Sequence, residues 1–430
     1  VLRPIAIFVV ALCCLHSQAA PETARLQAAL DEWRASIQAP GASLGIVLKD
    51  GRAIGLASGV SDRNTGRAMT PDDLLMAGST GKTFFAAVAL QLIEAGRLDL
   101  DAPVAKYLGG KPWFSRLPNA KDITVRMLMT HTSGLVRYEF NPKFAADVRA
   151  NPDKVWTPEE QLSYLFDAPA PFAAGQGWEY SDTNYIVLGV IVEGITGTRL
   201  YDEVQKRFLG PLKIKGAVPT TSRRVPGLVP GYAGGRDPLG LPDEVMTNGT
   251  FVINPQFEWT GGGYATSARD LARWGHALYA GNAISPKARD LMISSAVPAR
   301  LGPETKYGLG VIVRGATPAG PTVGHSGFFP GYQTELVHFV TSGVTMAVQI
   351  NSSAPRPQGT RAPLRFLYDL ALLMESGAQR TAVVAGLQPC ENPPGGLTAS
   401  AKATAVRRSF TRRRKPSGYC RIIPAAPVPD

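Results

Sequence analysis

The chain has 430 residues, 44% of them hydrophobic and 18% charged, with a formal net charge of +11. That length exceeds what one hydrophobic core usually organises, and the balance of apolar and charged residues excludes wholesale disorder. The positive charge is concentrated at one end: residues 380–430 hold nine Lys/Arg against Glu391 and Asp430, leaving +3 for residues 21–379, and a near-neutral body without a basic, aromatic-rich stripe disfavours nucleic acid as a partner.

At the N-terminus Arg3 precedes the apolar run Ile5–Leu15 and the small residues Ser17-Gln18-Ala19-Ala20. This reads as an export signal over residues 1–20, which places the remainder in the periplasm or outside the cell. A buried N-terminal helix and a lipid attachment at Cys13 or Cys14 are the alternatives. No later run approaches the ~20 apolar residues needed to span a bilayer, so no transmembrane helix is expected. Four cysteines, two of them in the signal, leave no zinc framework and at most one disulfide, between Cys390 and Cys420.

Beyond the signal, Leu26, Leu30, Trp33 and Ile37 mark a helix over 23–38. Strand-like runs at Ser43–Lys49 and Ala53–Ser58 meet at Asp50-Gly51, a hairpin signal. Thr83–Glu94 is helical and stops at Gly96. Residues 97–250 alternate Pro and Gly with short helical patches, including Tyr185–Thr196. Strands follow at Lys306–Arg314, Pro321–Ser326, Tyr332–Val340 and Val344–Asn351, then a helix over Leu364–Met374. The expected fold is α/β (α+β), one antiparallel sheet built from both ends of the chain and flanked by helices. The α/β lobe is then discontinuous, 21–96 with 251–380. A helical lobe, 97–250, is inserted, and 381–430 forms a disordered basic tail. A cleft between the lobes is the expected place for a pocket.

Three short motifs carry candidate chemistry. Ser79-Thr80-Gly81-Lys82 precedes a helix, so Lys82 follows Ser79 by one turn on the same face. A serine at a helix start has exposed backbone N–H groups beside it, and a neutral lysine can take its proton. Lowering a lysine from ~10.4 to about 7 requires burial and further partners. An N-cap serine with a solvated lysine is the plainer reading of the same spacing. The stretch also looks like the end of a phosphate-binding loop, but Met76 stands where that loop needs glycine. Ala77-Gly78-Ser79-Thr80-Gly81 resembles a nucleophile elbow, yet Pro71-Asp72-Asp73 leaves little room for the preceding strand.

The second motif is Tyr180-Ser181-Asp182, opening a helical pattern; Tyr180 can relay a proton and Asp182 can hold a lysine, or simply cap the helix. The third is His325-Ser326-Gly327 at a strand end, where histidine can polarise or bind an anion and glycine admits a ligand backbone at an edge strand.

In this order the motifs resemble the serine β-lactamase and penicillin-binding protein superfamily. Met127–Leu135 and Thr260–Leu271 resemble stretches of the branch holding class C β-lactamases, D-alanyl-D-alanine carboxypeptidases, D-aminopeptidases and related carboxylesterases. The resemblance covers roughly residues 25–375. It implies Ser79 as nucleophile and Lys82 as base or proton store, with Tyr180 passing the proton to the leaving atom. It places His325 where a lysine usually stands, and it implies the backbone N–H groups of Ser79 and Phe328 as an oxyanion hole. Ser326 and Gly327 would bind substrate. No metal or organic cofactor is implied. The partner is a small-molecule or peptide substrate with an amide, ester or lactam bond, such as peptidoglycan peptides. A catalytically silent receptor for wall fragments or β-lactams is the alternative. The departures are Gly81 for threonine, Asp182 for asparagine, and His325 for lysine. A neutral imidazole binds a carboxylate less well than an ammonium, which puts β-lactamase activity in doubt. A carboxylate at Asp182 within ~4–6 Å of Lys82 favours the charged amine. The expectation is therefore a charged Lys82, with Tyr180 as phenolate taking the serine proton.

Overall fold

A computed structural model describes residues 22–235 and 237–386; the segment expected to be an export signal, all four cysteines and most of the basic tail lie outside the described residues. The described residues up to Thr381 belong to one compact unit, and of the chain beyond it only the last turn of a helix, to Gly386, is described.

Leu26, Leu30 and Trp33 line one buried face of helix α1 (22–36). Strands β1 (Gly41–Val47) and β2 (Ala53–Gly59) then pair as the antiparallel hairpin expected around Gly51. The chain returns to the sheet with β3 (Val297–Pro298), β4 (Thr305–Tyr307) and β5 (Ile312–Arg314). It continues as β6 (Thr322–Phe329), β7 (Tyr332–Phe339) and β8 (Thr345–Ile350). Among the described residues these form one eight-stranded sheet in the order β2-β1-β8-β7-β6-β5-β4-β3, every pair antiparallel. The two ends of the chain meet at β1 and β8, where Ala42 faces Ile350 and Val47 faces Thr345.

Two local expectations need correction. Lys306–Arg314 is not one strand: β4 and β5 fold back on each other with Tyr307 opposite Ile312, because Gly310 takes a positive φ of 79° and its N–H binds Met129 O at 3.2 Å. β6 continues three residues past Ser326; β5 pairs only with its first half, Thr322–Gly324, so His325–Phe329 are bonded to β7 on one side and, among the described residues, keep a free edge on the other.

Helices α2 (Lys82–Glu94), α3 (Thr183–Thr196), α4 (Ala268–Tyr279) and α5 (Pro363–Gly386) complete the framework. α1 and α5 cover one face of the sheet, with Leu30, Trp33, Phe366 and Leu370 packed on Leu44, Ile46 and Val348. The α5 helix runs on to Gly386, past Met374 where its apolar pattern stops. On the other face α4 sets Leu271 and Trp274 in a second core that also holds α2, α3 and the short helices Val125–Met129 and Pro142–Ala150. Residues 97–250 therefore share their apolar interior with the inner face of the sheet. Among the described residues no helix is long and apolar enough to cross a membrane.

Trp33 ties the outer layer together: its ring stacks on Phe366 at 4.2 Å and its indole N–H donates to Arg361 O at 2.9 Å. Trp33→Ala should cost about 3–5 kcal/mol through the cavity it leaves, read as a lowered denaturant midpoint. An unchanged midpoint would mean that α1 does not dock on the sheet in solution.

Candidate active site

Ser79 sits in a 3-10 turn, Gly78–Gly81, between the short strand Leu75–Met76 and α2. That strand has two residues and pairs antiparallel with Tyr264–Thr266, so the long parallel strand required by a nucleophile elbow is not there. The turn is half-buried at Ser79, whereas Lys82 in the first turn of α2 is fully buried. The Lys82 ammonium donates to Ser79 Oγ at 3.0 Å, to Asp182 Oδ1 and to Gly261 O. Those three acceptors use all three of its protons. Gly81 is explained by close approach: a Cβ there would lie 1.8 Å from Gly262 O, so the threonine usual in the motif does not fit. Through this contact the Thr260–Leu271 stretch is brought against the turn, and its Ser267 then caps α4 by accepting from the Asp270 N–H.

Burial works against the charge on Lys82, but Asp182 and then Tyr180 outweigh it and raise its pKa above the ordinary value. For Asp182 burial is likewise outweighed, by Lys82, Glu139 and Arg137, and its pKa falls. The pair is therefore ionised, with Asp182 facing Lys82 rather than turned away. Arg137 extends it, donating to Asp182 Oδ2 at 2.8 Å and to Glu139 Oε1 at 2.7 Å. Glu139 is pushed up to about 8 by burial and by the Asp182 charge, and Glu258 to about 8 by burial. Both carboxyls stay protonated at neutral pH, so two cations face one carboxylate.

The Tyr180 hydroxyl is shut away from water and lies against Lys82 and Ser79. Burial raises its pKa more than Lys82 and Ser79 lower it. This corrects the expected phenolate: desolvation beats the neighbouring ammonium, and the resting group is a neutral phenol. Its ring is fixed from behind by His131, 4.2 Å away between centroids. His131 Nδ1 accepts from the Ser181 N–H at 3.3 Å and from Asn184 Nδ2 at 3.0 Å, which locks the Met127–Leu135 loop to the start of α3.

On the sheet side, His325 is 1% exposed and both ring nitrogens are occupied. Nδ1 donates to Ser326 O at 2.7 Å, which leaves Nε2 to accept from the Tyr307 hydroxyl at 2.8 Å. Burial, then the Lys82 charge, hold its pKa down at about 3. The expected anion-binding histidine is thus a neutral, fully bonded group. Ser326 Oγ donates to Glu335 at 2.9 Å. Gly327 is required by packing, since a Cβ there would meet Ala77 O at 2.0 Å. Across the same seam the backbone of Gly78 rests on that of Phe328.

These groups line one cavity of about 550 Å³, with Ser79, Tyr180, Asp182, His325, Ser326, Gly327 and Phe328 on its wall and Lys82 behind Ser79. Residues that the sequence did not single out complete it: Arg137, Glu139, Glu258, Arg314 and Glu335, the last held up at about 7 by burial. The only available signal was an unpaired-looking charge in an otherwise apolar stretch. Among the described residues no three His, Cys, Asp or Glu side chains gather to hold a metal.

The raised carboxyls set a pH dependence. Above pH 6.5 the folded chain holds protons on Glu139, Glu258 and Glu335 that the unfolded chain has released, so stability should fall as pH rises from about 6.5 past 8. Below 6.5 the unfolded chain protonates His131, His325 and His338, all held neutral in the fold by burial, the last two down to about 3 and 4. These histidines offset the carboxyls until about 4.5, below which stability should fall again. Thermal melts across this range should show the plateau, and a melting temperature that climbs steadily from pH 6.5 to 9 would contradict it.

One protein-family pattern, described as Beta-lactamase, matches residues 26–370. Esterase EstB of Burkholderia gladioli is 32% identical over 236 residues, covering 53% of this chain and 59% of that protein. Penicillin-binding protein 4 of Amycolatopsis lactamdurans is 34% identical over 195 residues, covering 44% and 47%. The chain spans less than two thirds of the length of the curated relatives it matches first. Among solved structures, a D-stereospecific amidohydrolase from Streptomyces superposes with a TM-score of 0.65 at 28% identity, over 76% of this chain and 94% of that one. A D-amino acid amidase from Ochrobactrum anthropi has the same fold, with a TM-score of 0.69 at 24% identity over 84% and 99%.

Proposed function

The chain belongs to the Beta-lactamase family, and on that premise we propose that it is a serine hydrolase working through an acyl-enzyme on Ser79. The observation that carries this reading is the saturated ammonium of Lys82, which donates to Ser79 Oγ and therefore leaves the serine's own proton to be given elsewhere. Tyr180 is the acceptor. As Ser79 Oγ bonds to the substrate carbonyl, its proton passes to the phenol oxygen while the phenol's own proton passes to the departing nitrogen or oxygen. The bond to the leaving group then breaks, and no phenolate has to accumulate. Water attacks the acyl-enzyme by the same route in reverse. The backbone N–H groups of Ser79 and Phe328 hold the oxyanion, and Lys82 lowers the cost of charge on Ser79. His325 supplies no cation; it fixes the wall of the cavity through Tyr307.

Amides, esters and lactams all suit this chemistry, and the names of the esterase and amidohydrolase relatives support the first two. Wall peptides ending in D-alanine are the natural target if the chain is exported. Export itself is testable: the protein recovered outside the cytoplasm should begin at Pro21. The test of the central reading is labelling with a fluorophosphonate or a fluorescent penicillin, followed by peptide mapping. One adduct on Ser79 is expected; no adduct, or one on another residue, would sink it.

A further inference from the structure

Among the described residues six large apolar side chains are exposed, and three of them, Phe140 (59%), Phe328 (46%) and Leu301 (37%), line the cavity that holds Ser79. Large apolar groups left in water are costly unless something covers them, and here half of the uncovered ones line the cavity of the nucleophile.

The cavity has two unlike ends. Tyr180 packs against His325 and Tyr307, with ring centroids 6.2 and 6.0 Å away. If Tyr180 protonates the leaving atom, the leaving group lies on this side, where Arg314, Ser326 and Glu335 make a polar wall. The acyl carbon's other substituent must then point the opposite way along β6, toward Phe328, Phe329 and Pro330. Phe257 meets Phe329 at that end, and Phe140 and Leu239 line the same cavity from outside the sheet. Phe257 and Phe329 stack at 6.0 Å, and the exposed ring of Phe140 is backed by the Arg137 guanidinium at 4.0 Å. The Arg137 side chain is in turn held by Glu139 and Asp182, so Phe140 stands on a fixed support rather than on a free loop side chain.

We infer that the acyl side of the cavity, walled by Phe140, Leu239, Phe257, Phe328 and Phe329, selects substrates whose acyl group is bulky and apolar, an aromatic ring above all. A methyl-sized acyl group leaves most of this wall in water and gains nothing from it in the transition state. The inference rests on Ser79 as the nucleophile and on Tyr180 facing the leaving group.

Two esters with one leaving group test it on the full chain: p-nitrophenyl phenylacetate and p-nitrophenyl acetate. In each the ester C–O bond breaks, the acyl carbon goes to Ser79 Oγ, and p-nitrophenol leaves with the proton relayed through Tyr180. After correction for spontaneous hydrolysis, kcat/KM for the phenylacetate should exceed that for the acetate by on the order of 100-fold. Phe140→Ala, a change at an exposed ring, should lower the phenylacetate value by about 10-fold and leave the acetate within about 2-fold; Phe140→Leu should fall between. Equal or reversed preference, or a Phe140→Ala loss shared equally by both esters, would overturn the inference. If Ser79 takes no covalent label and neither ester turns over, the nucleophile assignment falls and this inference falls with it. Normal labelling with acetate preferred removes the inference alone.

Discussion

Ser79→Ala should abolish covalent labelling and reduce turnover by about 10⁴–10⁶-fold, with far-ultraviolet circular dichroism and melting temperature nearly unchanged. A loss of that size is what removing a nucleophile from a linked set of groups produces, because the remaining groups have nothing to act on. The fold should survive because Ser79 is half-buried at the cavity wall and the bond its Oγ accepts from Lys82 is one of three that Lys82 makes. Lys82 keeps Asp182 and Gly261 in the variant, so no buried charge is stranded. Residual hydrolysis at the wild-type rate would mean that the cavity works through a different atom.

The second large effect separates Tyr180 from Asp182. On the proposed route Tyr180→Phe removes the hydroxyl that receives the serine proton, and acylation should drop by about 10²–10⁴-fold. Asp182→Asn keeps an acceptor for Lys82, and Arg137 keeps Glu139, so acylation should change far less. Its cost should appear in stability. Removing one charge from a buried pair typically costs about 3–5 kcal/mol. The sign follows from the pKa shifts. Lys82 is raised, so its contribution is complete below the ordinary lysine value and fades only as pH climbs above it. Asp182 is lowered, so its contribution is present above about 3.8 and fades as pH falls below. The Asp182→Asn deficit should therefore be largest across neutral pH. Stopped-flow acylation and melts on both variants decide the matter. Near-wild-type acylation in Tyr180→Phe, with collapse in Asp182→Asn, would reverse the assignment.

Much of this was legible in the chain because it is written in short-range patterns. The three-residue step from Ser79 to Lys82 is a helix repeat, and the β1–β2 hairpin is set by Asp50-Gly51. The charge field around Lys82 was not legible beyond Asp182. Arg137 and Glu139 belong to one short 3-10 segment and Glu258 to another far along the chain, and a charge in such a segment looks the same whether it faces water or a buried neighbour. The state of Tyr180 was misread for a related reason: its ammonium neighbour could be guessed from spacing, but the loss of water around the hydroxyl depends on His131, Tyr307 and His325 packing in from three separate elements. His325 itself looked available because its partner Tyr307 lies on β4, within a run that had been expected to be a single strand with β5.

The contact between Gly81 and Gly262 constrains how this sequence can vary. Restoring the family's common threonine at residue 81 would drive a Cβ to 1.8 Å from Gly262 O, while a Cβ at residue 262 would in turn meet Gly78 O at 2.5 Å and Glu258 at 2.4 Å. Each position is thus a dead end for single mutation, and the route back to the common motif passes through inactive intermediates unless the Glu258–Gly263 backbone shifts first. The two glycines form an epistatic pair: libraries that randomise residue 81 alone should return only glycine, and any productive alternative should carry a compensating change in the second segment.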